Sequence, residues 1–483
     1  MKKRILSGLE PEAVFRHFEE LAAIPHGSGN EQGVSELCAD FAKAHGLRYI
    51  RDEANNVIIF KDGTAGYEDR PPVILQGHLD MVCAPREGSG IDMAVTPLDL
   101  FVEGDLIGAR DTSLGADDGI AVAMMLALLE ADDIPHPPIE ALFTTDEETG
   151  MTGANAVDLS VLRGRKMINL DSEEEGVFTV GCAGGVRVRS RRVLARELFC
   201  GQQAKLSVNG LLGGHSGAEI HCGRANSNIV MGRLLRRICE VCDCRLVSLS
   251  GGTKDNVIAS ATEAVIVFET SRTDAVSAAV KEFRQEFLGE FGQVEKNAAV
   301  TLTLTDSGEV SALSAADTAD TASVLADSPF GPIAWNKDIP GMVQTSDNLG
   351  IVLLDGDTLE VDWSVRSSVS AEKDALAERI CALAEKHGLT PRLTSPYPAW
   401  EYRADSPLRD TMTEVWREMT GSEPIVCTIH AGLECGLFSE KLKGLDAVSM
   451  GPRMQDIHSC LERLSISSVG RTWEYLKKVL ERL

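Results

Sequence analysis

Short, mostly apolar runs in this chain end, one after another, in carboxylates or imidazoles. His78 and Asp80 close VILQGHLD, Glu147 and Glu148 close ALFTTDEETG, and Asp171 closes KMINLD. Asp117 and Asp118 sit in LGADDG, just before the apolar stretch IAVAMMLALL, and His458 lies far downstream in DIHSC. An apolar run that stops at such a residue reads as a buried strand delivering a side chain to its carboxyl end. In open α/β sheets those ends share one crevice, so residues distant in sequence can meet there. Two histidines with several acids are the donor set that a pair of divalent metal ions needs. On this pattern the chain is a candidate hydrolase.

Helices alternate with the runs. A helix is predicted over Asn30–His45, then strands at NNVIIF and VILQGHLD, a helix at DDGIAVAMMLALLEA, and strands at IEALFTTD and KMINLD. This alternation predicts an α/β sheet with helices on its faces. After GCAGG the character changes to strand-like RVRSRRVL and AKLSVNGL, a helix running toward Cys244, and further strands and helices up to His387. These read as two related α+β units in tandem, without a strict repeat. From SPYPAW onward the helix-and-strand alternation returns, and His458 belongs to that part. The expected architecture is a mixed-sheet α/β catalytic domain formed by residues 1–184 and 396–483, with an α+β domain of residues 185–395 inserted into it.

Composition narrows the partners. A net charge of -26 speaks against nucleic acid or an anionic membrane surface, which need basic patches. No segment is long and apolar enough to span a bilayer. Behind the basic MKKR, acids and Arg16 interrupt every apolar stretch, so the N-terminus reads as an amphipathic helix with Val14, Phe18 and Leu21 on one face rather than a signal peptide. The expected compartment is the cytoplasm, where the 12 cysteines would be free thiols. Cys239, Cys242 and Cys244 in CEVCDC invite a soft-metal reading, but no second cysteine pair stands at zinc-finger spacing. The plainer reading is the end of a helix.

Each candidate has an ordinary alternative. His78 and Asp80 point to one side of an extended chain, where the acid can hold one ring nitrogen while the other ligates metal. A lone His-x-Asp can equally be a surface pair. Asp117 and Asp118 could simply favour a helix N-terminus, Glu147 and Glu148 could be loop charges, and Asp171 a turn residue. Ligand-type residues at the ends of successive elements are harder to explain jointly than singly. A two-metal site needs a bridging carboxylate, flanking ligands and a free carboxylate as base, and an adjacent Glu-Glu pair can supply both a ligand and that base.

The motifs GHLDMV, GADDGIAVAMMLALL, TTDEETGMTGA, NLDSEEEG and DIHS resemble the di-zinc exopeptidase family of carboxypeptidases, aminoacylases and dipeptidases. NGLLGGHSGAEIHCGRANSNIV, GGTKDNVIA and TIHAGLECGLF are similar to its aminoacyl-histidine (Xaa-His, carnosinase-like) dipeptidase branch, and the resemblance runs nearly the whole length. It implies that His78 and Asp171 hold one zinc, Glu148 and His458 the other, and that Asp117 bridges them. It makes Glu147 the general base and Asp80 the residue that orients His78, and it implies a cis peptide bond after Asp117. The family often carries Asn or Lys where this chain has Asp118, which puts its metal affinity in question. The inserted domain becomes a lid of two ferredoxin-like units, in the family often also a dimerisation surface, which leaves open a homodimer paired through it or a lid that covers its own active site. His215 would stabilise the substrate carbonyl in the transition state, Asn256 and Arg366 would hold its carboxylate or amide, and Glu434 would meet its free amine. Arg366 could equally be a solvated strand residue, and His215 could cap a glycine-framed turn.

The primary expectation is metal-dependent hydrolysis of small dipeptides, Xaa-His among them, with two zinc ions or, in their place, manganese or cobalt. An aminoacylase or amidohydrolase acting on N-acyl amino acids is the rival enzyme. A non-catalytic metal-dependent binding protein is the rival from another class, and the intact Glu147–Glu148 pair argues against it.

Overall fold

Two kinds of apolar pattern, continuous and alternating, build two different sheets. A computed structural model describes residues 4–483. The chain opens with helices α1 (Glu12–Ala22) and α2 (Gln32–Ala44) and strands β1 (Arg48–Arg51), β2 (Val57–Lys61) and β3 (Val73–His78). Strands β4 (Leu100–Glu103) and β5 (Leu106–Ala109) precede helix α3 (Ala116–Glu130) and strand β6 (Ile139–Thr144). Short helices α4 (Glu147–Gly150) and α5 (Thr152–Ala156) lead to strands β7 (Lys166–Asn169) and β8 (Val177–Cys182).

The middle of the chain carries β9 (Gly184–Val193), β10 (Arg196–Asn209), α6 (Ser227–Cys239), β11 (Arg245–Gly251), β12 (Thr262–Phe268), α7 (Thr273–Phe291) and β13 (Ala299–Leu313). It continues through α8 (Ala315–Ala326), β14 (Gly331–Trp335), β15 (Val343–Asp355), β16 (Thr358–Ser367), α9 (Ser370–Lys386) and β17 (Thr390–Tyr397). The last part holds α10 (Pro407–Thr420), β18 (Ile425–Ile429), α11 (Glu434–Lys441), β19 (Asp446–Ser449), β20 (Met454–Gln455), β21 (Arg463–Ser465) and α12 (Ile466–Arg482).

These elements form two units. One comprises the chain up to Gly181 with Tyr402–Thr428 and Leu433–Leu483; the other comprises Cys182–Glu401 and Ile429–Gly432. In the first unit, an eight-stranded sheet runs in the order β1-β2-β6-β3-β7-β19-β8-β18. Its centre is parallel, since β3 pairs in parallel with β6 and β7, and β19 with β7. Strands β3 and β6 are buried at every residue, as expected for parallel strands covered on both faces. Helix α3 is apolar nearly all round and correspondingly buried, with α1 packed against it through a face that includes Val14, Phe18 and Leu21. A small sheet, β20-β21-β5-β4, completes this unit.

The second unit is built on one antiparallel sheet in the order β13-β10-β12-β11-β15-β16-β9-β17, with β14 paired to β15. Along β9 burial alternates, the mark of a sheet with one face on a core. Inward residues of the strands share a single apolar core with α6, α7, α8 and α9. Helix α6 stops at Cys239 rather than running toward Cys244. Turn bonds from Val241 N–H to Ile238 and from Cys244 N–H to Cys242 carry the chain into β11, through residues (Val241, Asp243) with poor helix propensity. The Cys242 thiol donates to the Ile238 carbonyl at 3.5 Å, and Cys239, Cys242 and Cys244 join no metal-capable group among the described residues. No helix among the described residues is long and apolar enough to cross a membrane.

Gly77 lets α3 approach the sheet. A Cβ there would lie 2.5 Å from Asp118 Oδ2 and 2.9 Å from Ala121 Cβ. Gly77→Ala is therefore expected to cost about 1–3 kcal/mol through overpacking, read as a lower midpoint in denaturant unfolding. An unchanged midpoint would mean that α3 is not packed tightly on β3.

Candidate metal centre

The carboxyl ends of the parallel strands deliver the site. His78 is the last residue of β3, Glu147 and Glu148 follow β6 and open α4, and Asp171 stands two residues past β7. Asp117 lies at the head of α3, where it and Asp118 have non-helical torsions, and the peptide bond between them is cis. His458 sits in the loop between β20 and β21 at φ 58°.

These residues converge on Asp117. Its Oδ1 lies 3.2 Å from His78 Nε2, and its Oδ2 lies 3.1 Å from His458 Nε2. Beyond them, His78 Nε2 is 3.8 Å from Asp171 Oδ1, and His458 Nε2 is 2.8 Å from Glu148 Oε1. One carboxylate thus faces two imidazole–carboxylate pairs, one with each oxygen. Two overlapping groups have the spacing of metal ligands: His78, Asp117 and Glu148, and His78, Asp118 and Asp171. Asp118 enters here as an added candidate. Its Oδ2 accepts the His78 backbone N–H at 3.1 Å, while its Oδ1 has no hydrogen-bond partner.

Asp80 does more than face the ring of His78. Its backbone carbonyl accepts from His78 Nδ1 at 3.0 Å, closer than its carboxylate at 3.3 Å. That carboxylate accepts the Ser28 hydroxyl at 2.8 Å and the backbone N–H groups of Glu147 and Glu148 at 3.0 and 3.2 Å. Asp80 therefore fastens the Glu-Glu pair to the His78 strand. Burial alone would raise its pKa, but His78, Ser28 and the Glu147 amide draw it down to about 2.

The acids crowd one another. Burial pushes Glu147 and Asp171 well above the usual carboxylate range, and each is raised further by neighbouring acids. Asp118 is raised by burial and by Asp171. Hydrogen bonds that His458 donates to the Asp117 and Glu148 carboxylates lift it to about 10, so protons on the imidazoles offset part of the acid in the metal-free protein. A cluster of buried carboxylates with two imidazoles and no sulfur fits a divalent cation of the zinc, manganese or cobalt kind. Protons and metal compete for it.

Glu434 lies at the head of α11 and is 1% exposed. Its Oε2 accepts from Gln76 Nε2 and Thr144 Oγ1, both at 2.7 Å, while Oε1 has no hydrogen-bond partner. Burial lifts it to about 7, and it acts electrostatically on Glu147 and Asp171. Gln76 and Thr144, the partners of Glu434, are hidden by the strand pattern, because both sit inside otherwise apolar strands.

His215, Asn256 and Arg366 belong to the other unit. The ring of His215 accepts the N–H groups of Gly217 and Ala218 at Nδ1, at 3.2 and 2.9 Å, which leaves its proton on Nε2. The Asn256 carbonyl accepts the Ser216 N–H at 2.9 Å, beside the same loop. Arg366 is buried rather than solvated and donates to the Tyr397 hydroxyl at 2.8 Å. Sequence reasoning missed His430, whose Nε2 lies 2.7 Å from Ser346 Oγ in this unit. Burial and the nearby Arg366 charge hold it neutral down to about pH 3. Its one sequence signal is its place within TIHAGLECGLF.

Residues 74–482 match the profile of peptidase family M20/M25/M40. The chain is 35% identical over 481 residues to the cytosol non-specific dipeptidase of Escherichia coli K12, covering 99% of each. It is similar to the crystal structure of aminoacylhistidine dipeptidase from Vibrio alginolyticus, with a TM-score of 0.92 and 31% identity over 100% of this chain and 98% of that one. The aminopeptidase PepT of Bacillus cereus shares the fold at a TM-score of 0.61 and 15% identity, over 98% of each chain.

A carboxylate raised by burial binds its proton more tightly folded than unfolded, so its contribution to stability is present at low pH and lost as pH rises. The chelated protein should therefore lose thermal stability from the ordinary carboxylate range upward through neutrality. Saturating divalent metal should raise the unfolding temperature and flatten that slope. Thermal unfolding across pH, with chelator and with metal, checks this; identical slopes would count against a cation at the cluster.

Proposed function

The chain belongs to peptidase family M20/M25/M40, and from that premise we propose that it hydrolyses small dipeptides bearing a free amino group in a metal-dependent reaction. The observation that carries this reading is the Asp117 carboxylate, which faces an imidazole–carboxylate pair with each oxygen, while Glu147, within electrostatic reach of His78 and Asp171, belongs to neither ligand-spaced group. The dipeptidase names of the Escherichia coli and Vibrio relatives, both similar over nearly the full chain, support the substrate class.

We assign two divalent ions, zinc first and manganese or cobalt as substitutes. His78 and Asp171 hold one, Glu148 and His458 the other, and Asp117 is shared. When bound, such ions supply Lewis acidity, polarising the scissile carbonyl and acidifying water. Glu147 is the proton carrier: its carboxylate takes the proton of the attacking water and passes it to the leaving amine nitrogen. Asp80 holds the backbone of Glu147 and Glu148 and the ring of His78 in one frame.

Glu434 is assigned to the substrate's ammonium group. One of its oxygens is already held by Gln76 and Thr144, and the other is unengaged in a buried setting. An acid so placed favours a free amine over an N-acyl group, which separates a dipeptidase from an aminoacylase. The second unit is assigned as a lid and dimerisation surface, giving a homodimer. Its chain order, β10-α6-β11-β12-α7-β13 and then β9 with α8-β15-β16-α9-β17, supports two ferredoxin-like halves sharing one sheet. His215, with its proton on Nε2, is assigned to the substrate carbonyl, and Asn256 and Arg366 to its carboxylate or amide. A cytoplasmic location follows the cytosolic Escherichia coli relative.

A substrate panel on the chelated protein, with each metal added back, tests the reading. Xaa-His and other dipeptides should be cleaved and N-acetyl amino acids left intact; the reverse preference would make the chain an aminoacylase. Glu147→Gln should lower kcat about 10²–10⁴-fold with metal content unchanged, and near-normal turnover would remove the base. Glu434→Gln should raise KM for dipeptides more than it lowers kcat, and an unchanged KM would free Glu434 from the amine.

A further inference from the structure

The loop that carries Asp117 is not held by its own helix. Backbone N–H groups at the head of a helix have no intrahelical acceptor, and Asp117 and Asp118 depart from helical torsions. Gly115 is left-handed at φ 65°, and a Cβ there would lie 2.7 Å from Met81 Sδ, so the turn requires glycine. Four consecutive amides are thereby turned toward one point.

Glu462 occupies that point. Its Oε2 accepts the N–H groups of Leu114 and Gly115 at 2.7 and 3.0 Å, and its Oε1 those of Ala116 and Asp117 at 2.8 and 3.4 Å. The residue is 2% exposed. A buried carboxylate is costly unless its lone pairs are met, and here backbone donors meet both oxygens at a helix N-terminus. Glu462 stands four residues after His458, and the segment between them is closed by the Glu462 N–H to Ser459 carbonyl bond at 3.2 Å. One short segment thus supplies both the imidazole that faces Asp117 Oδ2 and the carboxylate that grips the Asp117 backbone.

We propose that Glu462 is a positioning residue that sets the Asp117 carboxylate between His78 and His458 and so tightens the metal held by His458 and Glu148. This rests on the two-metal reading of the site. Removing such an outer carboxylate typically costs 10–100-fold in metal affinity or activity.

The test is a metal titration of the chelated full-length protein with zinc alone, for wild type and Glu462→Gln, alongside thermal unfolding of the chelated forms. In Glu462→Gln the equivalent held by His458 and Glu148 should weaken 10–100-fold, and the other, which also uses Asp117, by clearly less. At limiting zinc kcat should fall while KM holds, and excess zinc should restore kcat. Glu462→Asp keeps the charge and carries the same readout should the glutamine variant fail to fold. Two equivalents bound as in wild type would overturn the assignment. So would equal weakening of both with a lower unfolding temperature of the chelated protein, the signature of a purely structural role. A wild type that binds fewer than two equivalents would overturn the two-metal reading and this assignment with it, and only the wild-type titration reads that outcome.

Discussion

The site depends on a single carboxylate having both oxygens committed in opposite directions. Asp117 faces His78 with one and His458 with the other, and those histidines come from a strand end and a loop more than three hundred residues apart. Neither histidine fixes Asp117 alone. The backbone beneath it must turn at Gly115, depart from the helix at Asp117 and Asp118, and find acceptors for its exposed amides. The parallel sheet supplies the other half of the frame: β3 and β6 end opposite each other at His78 and Thr144, β7 ends two residues short opposite Gln76, and His78, the Glu pair and Asp171 stand at or just past these ends.

Gathering this much acid in a buried crevice works against folding. Each carboxylate loses hydration, and each raises the proton affinity of the next. The protein limits that cost with fixed donors. Asp80 receives two backbone amides and a hydroxyl and stays ionised, whereas Glu147 and Asp171 remain crowded. The distinction separates framework from working groups. The acid with satisfied lone pairs holds the geometry, and the acids without them are the ones open to a cation or a proton.

Strand ends were legible because burial on both faces forces a continuous apolar run, and the run must stop where the side chain turns functional. That pattern exposes His78, Glu147, Glu148 and Asp171 in the sequence itself. It could not decide between capping and ligation at Asp117, because either role puts an acid before an apolar helix; the non-helical torsions and the two imidazole contacts, which support ligation, arise from residues distant in the chain. Gln76 and Thr144 were hidden within apolar strands, and Glu462 looks in sequence like any charge beside an arginine. The Ile429–Gly432 segment joins the second unit although chain on both sides belongs to the first. Such an excursion leaves no mark in periodicity, which reports only local partners. His430 was missed for that reason.

Asp118 is the point at which this chain departs from the pattern its motifs resemble, and its contacts explain how an extra acid is tolerated. Its Oδ2 accepts the backbone N–H of His78, so the side chain ties the head of α3 to the end of β3. Gly77 leaves the space for that contact. An asparagine could make the same bond through its carbonyl oxygen, so the hydrogen bond alone does not require a carboxyl group. What the carboxyl adds is a second oxygen, buried and without a partner, on a residue that has ligand spacing with His78 and Asp171. Burial favours its protonated form while the cluster lacks a cation. A dication held by His78 and Asp171 would favour the ionised form instead, by direct charge attraction. The residue therefore ties helix to strand through one oxygen and leaves the other buried and unpartnered beside the residues assigned to the metal.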